Sequence, residues 1–495
     1  MKKYIYAALA VAVAAVPASA LEVHSSAGAL PSLIEAPSAV SELKITGTVD
    51  ASDLYFVGRE MTSLRRLDLS EVQIAAYSGD KIGGATTHAA STIPQGAFMA
   101  TGLASVLLPE SGRVAIGDFA FADSRLETVT VSAGVASIGQ AAFANCDELT
   151  EVTLRPVETG AYAFKGCDKL QTVHLGGMTK IGASDFADCP VLATVDGVSS
   201  VVAIGEAAFE GCTSLESFDF PAGLSTLGAS AFSRSGLVSA DLSACSTLSD
   251  VGAWAFAYTP SLVSVALPDE LPGIGIGAFF DCPVLATVNI PESCQFVPDY
   301  AFKGNAALMD VTVPEGAVEL GRYAYHGASS LSSVTLPSSL EYIGDRAMAN
   351  ATSLKTVDAG ALEYVPELGD EVWDGVEQAN VRLVVKPDMV DAYEAADQWQ
   401  NFEIRGISTG ADNIVAEVGG SSLRARFTGY TLEVVASGVA IASLQLFDAA
   451  GAQLASLNVD SERVAVDTSH LSASVYIVRC TLSDSSSATV KIARK

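Results

Sequence analysis

Apolar residues recur in this chain on two periods at once. Within short stretches they alternate, as in Leu149-x-x-Val152-x-Leu154, and a period of two marks a strand with one buried face. The stretches themselves return about every 23 residues, the mark of a stacked repeat. Ile138-Gly139-Gln140-Ala141-Ala142-Phe143, then Cys146, Leu149, Val152 and Leu154, reappears as Ile204-Gly205…Ala208-Phe209…Cys212…Leu215…Phe218…Phe220-Pro221. It reappears again as Ile274-Gly275…Ala278-Phe279…Cys282…Leu285…Val288…Ile290-Pro291. The large anchor of each unit is Phe98, Phe121, Phe143, Phe164, Phe186, Phe209, Phe232, Phe256, Phe279, Phe302, Tyr325 and finally Met348. The intervals run from 21 (Phe143 to Phe164) to 24 (Phe232 to Phe256), a drift that one loop residue explains.

Each unit therefore predicts a short strand, often ended by a proline that cannot donate to a ladder. The Gly-x-x-Ala-Phe segment predicts a tight turn into a short helical or irregular piece, with Phe filling the space between coils. One unit cannot bury its apolar side alone, so copies must stack into a single continuous core. The expected fold is a repeat solenoid over residues 91–380, with about twelve units of ~23 residues. Its parallel strands would lie about 4.8 Å apart in a sheet roughly 58 Å long.

The flanks differ from the repeat. Lys2 and Lys3, the apolar run Ile5–Val16 and Ala18-Ser19-Ala20 read as an export signal over residues 1–20, cut after Ala20. Residues 21–90 read as a divergent first repeat or cap, carrying Leu43-Lys44-Ile45 and Leu64-Arg65-Arg66-Leu67-Asp68-Leu69. Residues 381–405 read as a closing cap: a strand at Val381–Lys386, then a helix with Tyr393, Trp399 and Phe402. Residues 406–420 are rich in small and polar types and read as a linker. Residues 421–495 carry about seven short alternating runs, which suggest a small all-β immunoglobulin-like sandwich.

The motif I-G-x-x-A-F-x-x-C-x-x-L-x-x-V-x-L-P, held from residue 93 to about 360, resembles the leucine-rich repeats of the BspA-like family of bacterial surface proteins. Gly160 lacks the leading Ile, Asp185 stands in place of Ala, and Leu227, Val251 and Val297 replace Ile. The C-terminal part is similar to the sorting domain of the type IX secretion system of Bacteroidota. The residues that carry this are Leu446-Phe447-Asp448-Ala449-Ala450-Gly451, the strand Val475-Tyr476-Ile477-Val478, and the spacing of Lys491 and Lys495. Ser474 departs from the family's glycine. The resemblances imply attachment to host matrix proteins or other bacteria, recognition by outer-membrane export machinery, removal of the domain, and anchoring at the cell surface.

Charge and composition narrow the classes. Asp plus Glu is 57 and Lys plus Arg 28, a net charge of −29, which disfavours nucleic acid and anionic lipid as partners. Mean hydropathy is +0.35, yet no apolar run after residue 20 approaches the ~20 residues of a helical span. No transmembrane span is expected, and a monomer is. Cys146, Cys167, Cys189, Cys212 and Cys282 share one repeat position. Stacked equivalent positions have parallel Cβ vectors and favour a file of reduced core thiols over bridges. Cys245, Cys294 and Cys480 lie off that pattern. His24, His88, His174, His326 and His470 form no H-x-x-x-H or H-E-x-x-H motif, and no nucleophile elbow accompanies them. Gly273-Ile274-Gly275-Ile276-Gly277 falls at the ordinary I-G place of its unit, so it is no dinucleotide loop. No catalytic residue, cofactor or metal site is expected.

Binding would then fall on the residues that the strands display. One outward column runs through Thr172, Thr194, Ser217 and Ser239; its neighbour runs through His174, Asp196, Asp219 and Asp241. The three aspartates either bind a cation or a Lys/Arg-rich protein, or are simply solvated. The reading this supports is an exported, non-catalytic cell-surface protein for adhesion or protein binding. The alternatives are a structural spacer without a ligand and an accessory factor in glycan or protein utilisation.

Overall fold

A computed structural model describes residues 4–5, 20–406, 414–418, 421–428, 431–436, 439–448, 452–468, 475–484 and 486–493. Most of residues 1–20, Ala449-Ala450-Gly451, Ser474 and Lys495 lie outside them, and Lys491 is described by its backbone alone. The chain forms two compact units, residues 1–384 with 391–404, and residues 385–390 with 405–495.

The first unit is a parallel-strand solenoid of about 17 turns. Its strands pair at identical repeat positions: Val129, Val152, Val173 and Val195 stand side by side, as do Val311, Val334, Val357 and Leu383. Most coils also carry a second short strand just before their glycine, as at Val114–Ile116, Val135–Ile138 and Glu158–Thr159, which at Val251 and Ile274 shrinks to single bridges. The sequence pattern predicts only the first of these two ladders. A two-residue strand is too short to show alternation.

The main ladder is interrupted three times, first between Ser105–Leu107 and Thr128–Thr130, which do not pair. Ser217–Asp219 forms no strand between Thr194–Asp196 and Ser239–Asp241. There Phe218 takes the inward place of valine and packs against Phe209 and Phe232, 5.4 and 5.1 Å between centroids. The larger ring holds this segment off the strand register. Beyond Thr287–Val288 the side chain of Asn289 substitutes for the backbone. Its Oδ1 accepts from Leu267 N–H at 2.9 Å and its Nδ2 donates to Leu267 C=O at 3.2 Å.

The anchors form one file. Rings from Phe98 to Tyr325 stack coil on coil, with centroids 5.1 Å apart at the first step and 5.8 Å at the widest, between Phe232 and Phe256. Phe121, Phe143 and Phe164 are parallel to within 1°. The convex segment that carries them is irregular turn rather than helix. Two residues per coil adopt the left-handed region, two before and two after the anchor, as Ala141 (φ 51°) and Asn145 (φ 54°) flank Phe143. The glycine of the I-G pair has a different cause. A Cβ on Gly139 would sit 2.6 Å from the Asp118 nitrogen, so adjacent coils touch backbone to backbone.

All eight cysteines are buried and unbridged. Each repeat thiol donates to the anchor carbonyl of a preceding coil: Cys146 to Phe121, Cys167 to Phe143, Cys189 to Phe164 and Cys212 to Phe186, at 3.1–3.4 Å. Thr259 takes the same place in its coil and donates its hydroxyl to Phe232. Burial pushes the Cys282 thiol up to about 12 and Cys146 to about 11.

At the start of the solenoid, Ala20–Ser25, Glu42–Val49, Arg66–Ile74 and Ser105–Leu107 pair in parallel. The helix Ala51–Glu60 begins at a capping box between Asp50 and Asp53. At its end Trp399 is buried among Trp373, Tyr393 and Phe402, and its indole N–H donates to Pro366 C=O. Trp399 thus closes the core and is withdrawn from any ligand. Trp373 occupies the anchor position one coil beyond Met348, where the regular spacing no longer reveals it.

The second unit is two four-stranded antiparallel sheets. One contains Ile414–Val418, Ser421–Thr428, Thr431–Ala436 and Arg463–Asp467; the other contains Ile441–Asp448, Gln453–Ser461, Val475–Leu482 and Ser487–Ala493. Leu432, Val434, Leu444, Leu446, Tyr476, Val478 and Cys480 form its core. Ile414–Val418 corrects the linker reading of 406–420. That strand is short, and small polar residues on both sides mask its alternation.

Candidate functional site

The outward residues of the main strands form two columns in register. Thr128, Glu151, Thr172 and Thr194 pair in one; Thr130, Thr153, His174 and Asp196 pair in the other. Beyond the break at Ser217–Asp219, Ser239 pairs with Ser264 and Asp241 with Ala266. Thr194, Ser217 and Ser239 are exposed, and Thr172 is half-buried. Ser217 and Asp219 are displayed from the segment that forms no strand, so the structure does not bring Asp196, Asp219 and Asp241 into one paired ladder.

Two of those aspartates have partners of their own. His174 sits between carboxylates, with Nδ1 2.8 Å from Asp196 Oδ2 and Nε2 3.4 Å from Glu151 Oε1. The hydrogen bond to Asp196, then the charges of Asp196 and Glu151, raise the imidazole above its ordinary value. Asp241 Oδ1 accepts from the Ser243 hydroxyl and backbone N–H at 2.6 and 3.0 Å, which lowers its carboxyl. Among the described residues, no group of three or more His, Cys, Asp or Glu is placed to hold a metal ion. The face is a lattice of short hydroxyl and carboxyl groups, suited to many weak hydrogen bonds with a broad partner.

A second surface lies on the turns beside the aromatic file. Tyr300 and Tyr323 stack at 5.3 Å with 7° between planes, and Phe280 meets Trp254 and Tyr258 at 5.3 and 5.1 Å. The Lys303 ammonium lies 4.9 Å from the Tyr323 centroid and 5.5 Å from those of Tyr300 and Phe280. Trp254, Tyr300 and Tyr323 hold φ of 59°, 61° and 56° where other coils place Ala141, Ser184 or Ala207. The fold does not need bulky side chains there, and the left-handed backbone disfavours them. Sequence reasoning overlooked this ridge because it followed the outward positions of the strands. Its signal was an aromatic residue two places before the anchors Phe256, Phe302 and Tyr325.

The model of the BspA-type leucine-rich repeat region matches residues 85–190, 155–262 and 249–373, together more than half of the chain. The protein belongs to the BspA-type leucine-rich repeat family. A leucine-rich repeat protein from Bacteroides ovatus is similar over 76% of this chain and 86% of that one, at 21% identity and a TM-score of 0.51. A leucine-rich cell surface protein from Faecalibacterium prausnitzii matches 59% of this chain and 87% of its own at 23% identity, with a TM-score of 0.34. A leucine-rich repeat protein from Eubacterium ventriosum matches 69% of this chain and 84% of its own at 19% identity, with a TM-score of 0.38. No curated protein matches the chain.

Proposed function

We propose that this is an exported, non-catalytic protein of the cell surface that binds other proteins or mediates adhesion through its sheet face. The observation that carries the reading is the register of the outward columns. Thr128, Glu151, Thr172 and Thr194 repeat at strand spacing, which multiplies weak contacts along one direction. Family membership supports it. No helix among the described residues is long and apolar enough to cross a membrane. Residues 1–20 serve as the export signal. Residues 421–495, with Lys491 and Lys495 at their end, serve as the sorting and anchoring domain that the type IX machinery reads.

The test uses the full chain and immobilised matrix or bacterial surface proteins. Replacing Thr172, Thr194, Asp196, Asp219, Ser239 and Asp241 by Ala is expected to abolish retention; undiminished retention by that variant rejects the sheet face. Fractionating cells that express the chain with and without residues 421–495 checks destination and processing. The aromatic ridge favours a second reading of the same class. Trp and Tyr are the residues that dominate protein hot spots, and retention lost on replacing Tyr300 and Tyr323 by Ala would move the docking surface there.

A further inference from the structure

The first column of the sheet face ends in a cavity of about 590 Å³, lined by Ser332, Thr352, Ser353, Thr356, Asn380 and Glu403 around Lys355 and Arg382. Arg382 pairs with Thr356 across the ladder, and its N–H donates to the Lys355 carbonyl at 2.8 Å. The two cations therefore stand on adjacent coils and line the same hollow. Neither has a carboxylate within ion-pair distance among the described residues, although the chain carries a net charge of −29. On nearby coils, by contrast, Arg322 is paired with Asp299 and Arg346 with Glu371. Glu377, at the rim, is instead held by the Asn380 amide at 2.9 Å.

We infer that this cavity binds an acidic sugar unit, a hexuronic or sialic acid residue of a glycan. Arg382 and Lys355 take the carboxylate, since a guanidinium fork matches that group in two parallel hydrogen bonds. Ser353, Thr352 and Thr356 supply hydroxyls to the sugar ring, and Glu377 accepts from its hydroxyls. The lining offers a single apolar side chain, Leu354, and that is buried. An acidic peptide would leave its apolar residues without a place to pack, whereas a polyhydroxylated ring needs none. The inference stands apart from protein docking along the sheet face, because a free sugar needs only the last coils.

Calorimetric titration of the full chain with a glucuronic-acid-containing tetrasaccharide tests it, against a neutral tetrasaccharide and a tetra-aspartate peptide. The acidic sugar is expected to bind and the other two are not. The Lys355→Ala, Arg382→Ala double variant is expected to weaken binding at least tenfold, the loss that follows from removing charged hydrogen-bond partners. Both side chains are exposed, so the fold should survive, and an unchanged thermal midpoint confirms it. Equal binding of the neutral sugar, preference for the peptide, absence of binding at millimolar sugar, or undiminished affinity in the double variant each overturns the inference. The sheet-face variant, with Asp196 and its neighbours replaced, should bind the sugar like the parent chain.

Discussion

The Thr159 hydroxyl donates a 2.6 Å hydrogen bond to Asp185 Oδ2, and each residue stands where its neighbours carry an apolar one. Thr159 pairs with Ile138 in the short ladder, and Asp185 holds the alanine place before Phe186. Asp185 is 1% exposed and also accepts from Gly182 N–H at 2.7 Å. The two departures from the repeat are thus one feature. Asp185→Ala alone strands the Thr159 hydroxyl and the Gly182 N–H in the core, at a cost of about 1–3 kcal/mol. Adding Thr159→Ile should recover only part of that, because it removes the stranded hydroxyl and leaves the Gly182 N–H. Urea denaturation of the three chains checks both steps.

The same carboxyl makes stability depend on pH. Burial pushes Asp185 up to about 6, against the offsetting hydrogen bonds of Thr159 and Gly182. The folded chain then holds this proton more tightly than the unfolded chain does. Its contribution is full below about pH 4 and is lost as pH rises through about 6. The loss is on the order of 2–3 kcal/mol. Urea midpoints of the parent chain should fall across that window relative to Asp185→Asn. Parallel curves would refute the assignment.

The aromatic file carries much of the core. Phe164→Ala removes a fully buried ring from between two parallel neighbours and should cost about 3–5 kcal/mol. Phe296 is 49% exposed, so Phe296→Ala should stay within about 0.5 kcal/mol. Comparable losses in chemical denaturation would contradict the stacking.

Thiol chemistry should be silent in the folded state. With Cys146 held near 11 and Cys282 near 12 by burial, a thiol reagent at pH 8 should label none of the eight until denaturant is added. Cys212→Thr should be milder than Cys212→Ala, since a hydroxyl can still reach Phe186 C=O as Thr259 reaches Phe232. Thermal midpoints of the two variants decide it.

His174 reports on the sheet face. Its bond to Asp196 raises the imidazole above the ordinary histidine value, so Asp196→Asn should lower the midpoint of its NMR titration. The folded state gains from the protonated ring below about pH 6.5. That gain fades as pH rises past the raised midpoint. A titration unmoved by the substitution would show that the two side chains do not meet in solution.

Long-range order was written plainly in the sequence, and short-range geometry was not. Twelve anchors at nearly constant spacing specified the coil, its inward face and the columns that contain His174 and Asp196. Second strands such as Glu158–Thr159 left no periodic trace, because two residues cannot alternate. The left-handed corners were hidden for another reason: Ala141, Trp254 and Arg346 occupy them as well as Gly277, so no residue type marks them. The interruption at Phe218 depends on ring size against neighbouring coils. Lys355 and Arg382, far apart in the chain, become neighbours only through the ladder. The carboxylate run from Asp196 to Asp241 looked continuous because spacing alone cannot show where a strand fails.

A stack of near-identical rungs faces a counting problem during folding. Any coil can settle on almost any other with similar apolar contact, so a chain slipped by one turn would be nearly as comfortable as the right one. The threonine–aspartate bond breaks that degeneracy, because a displaced alignment sets a carboxyl against an isoleucine. One polar contact in the interior thus works as an index mark, fixing which rung comes next.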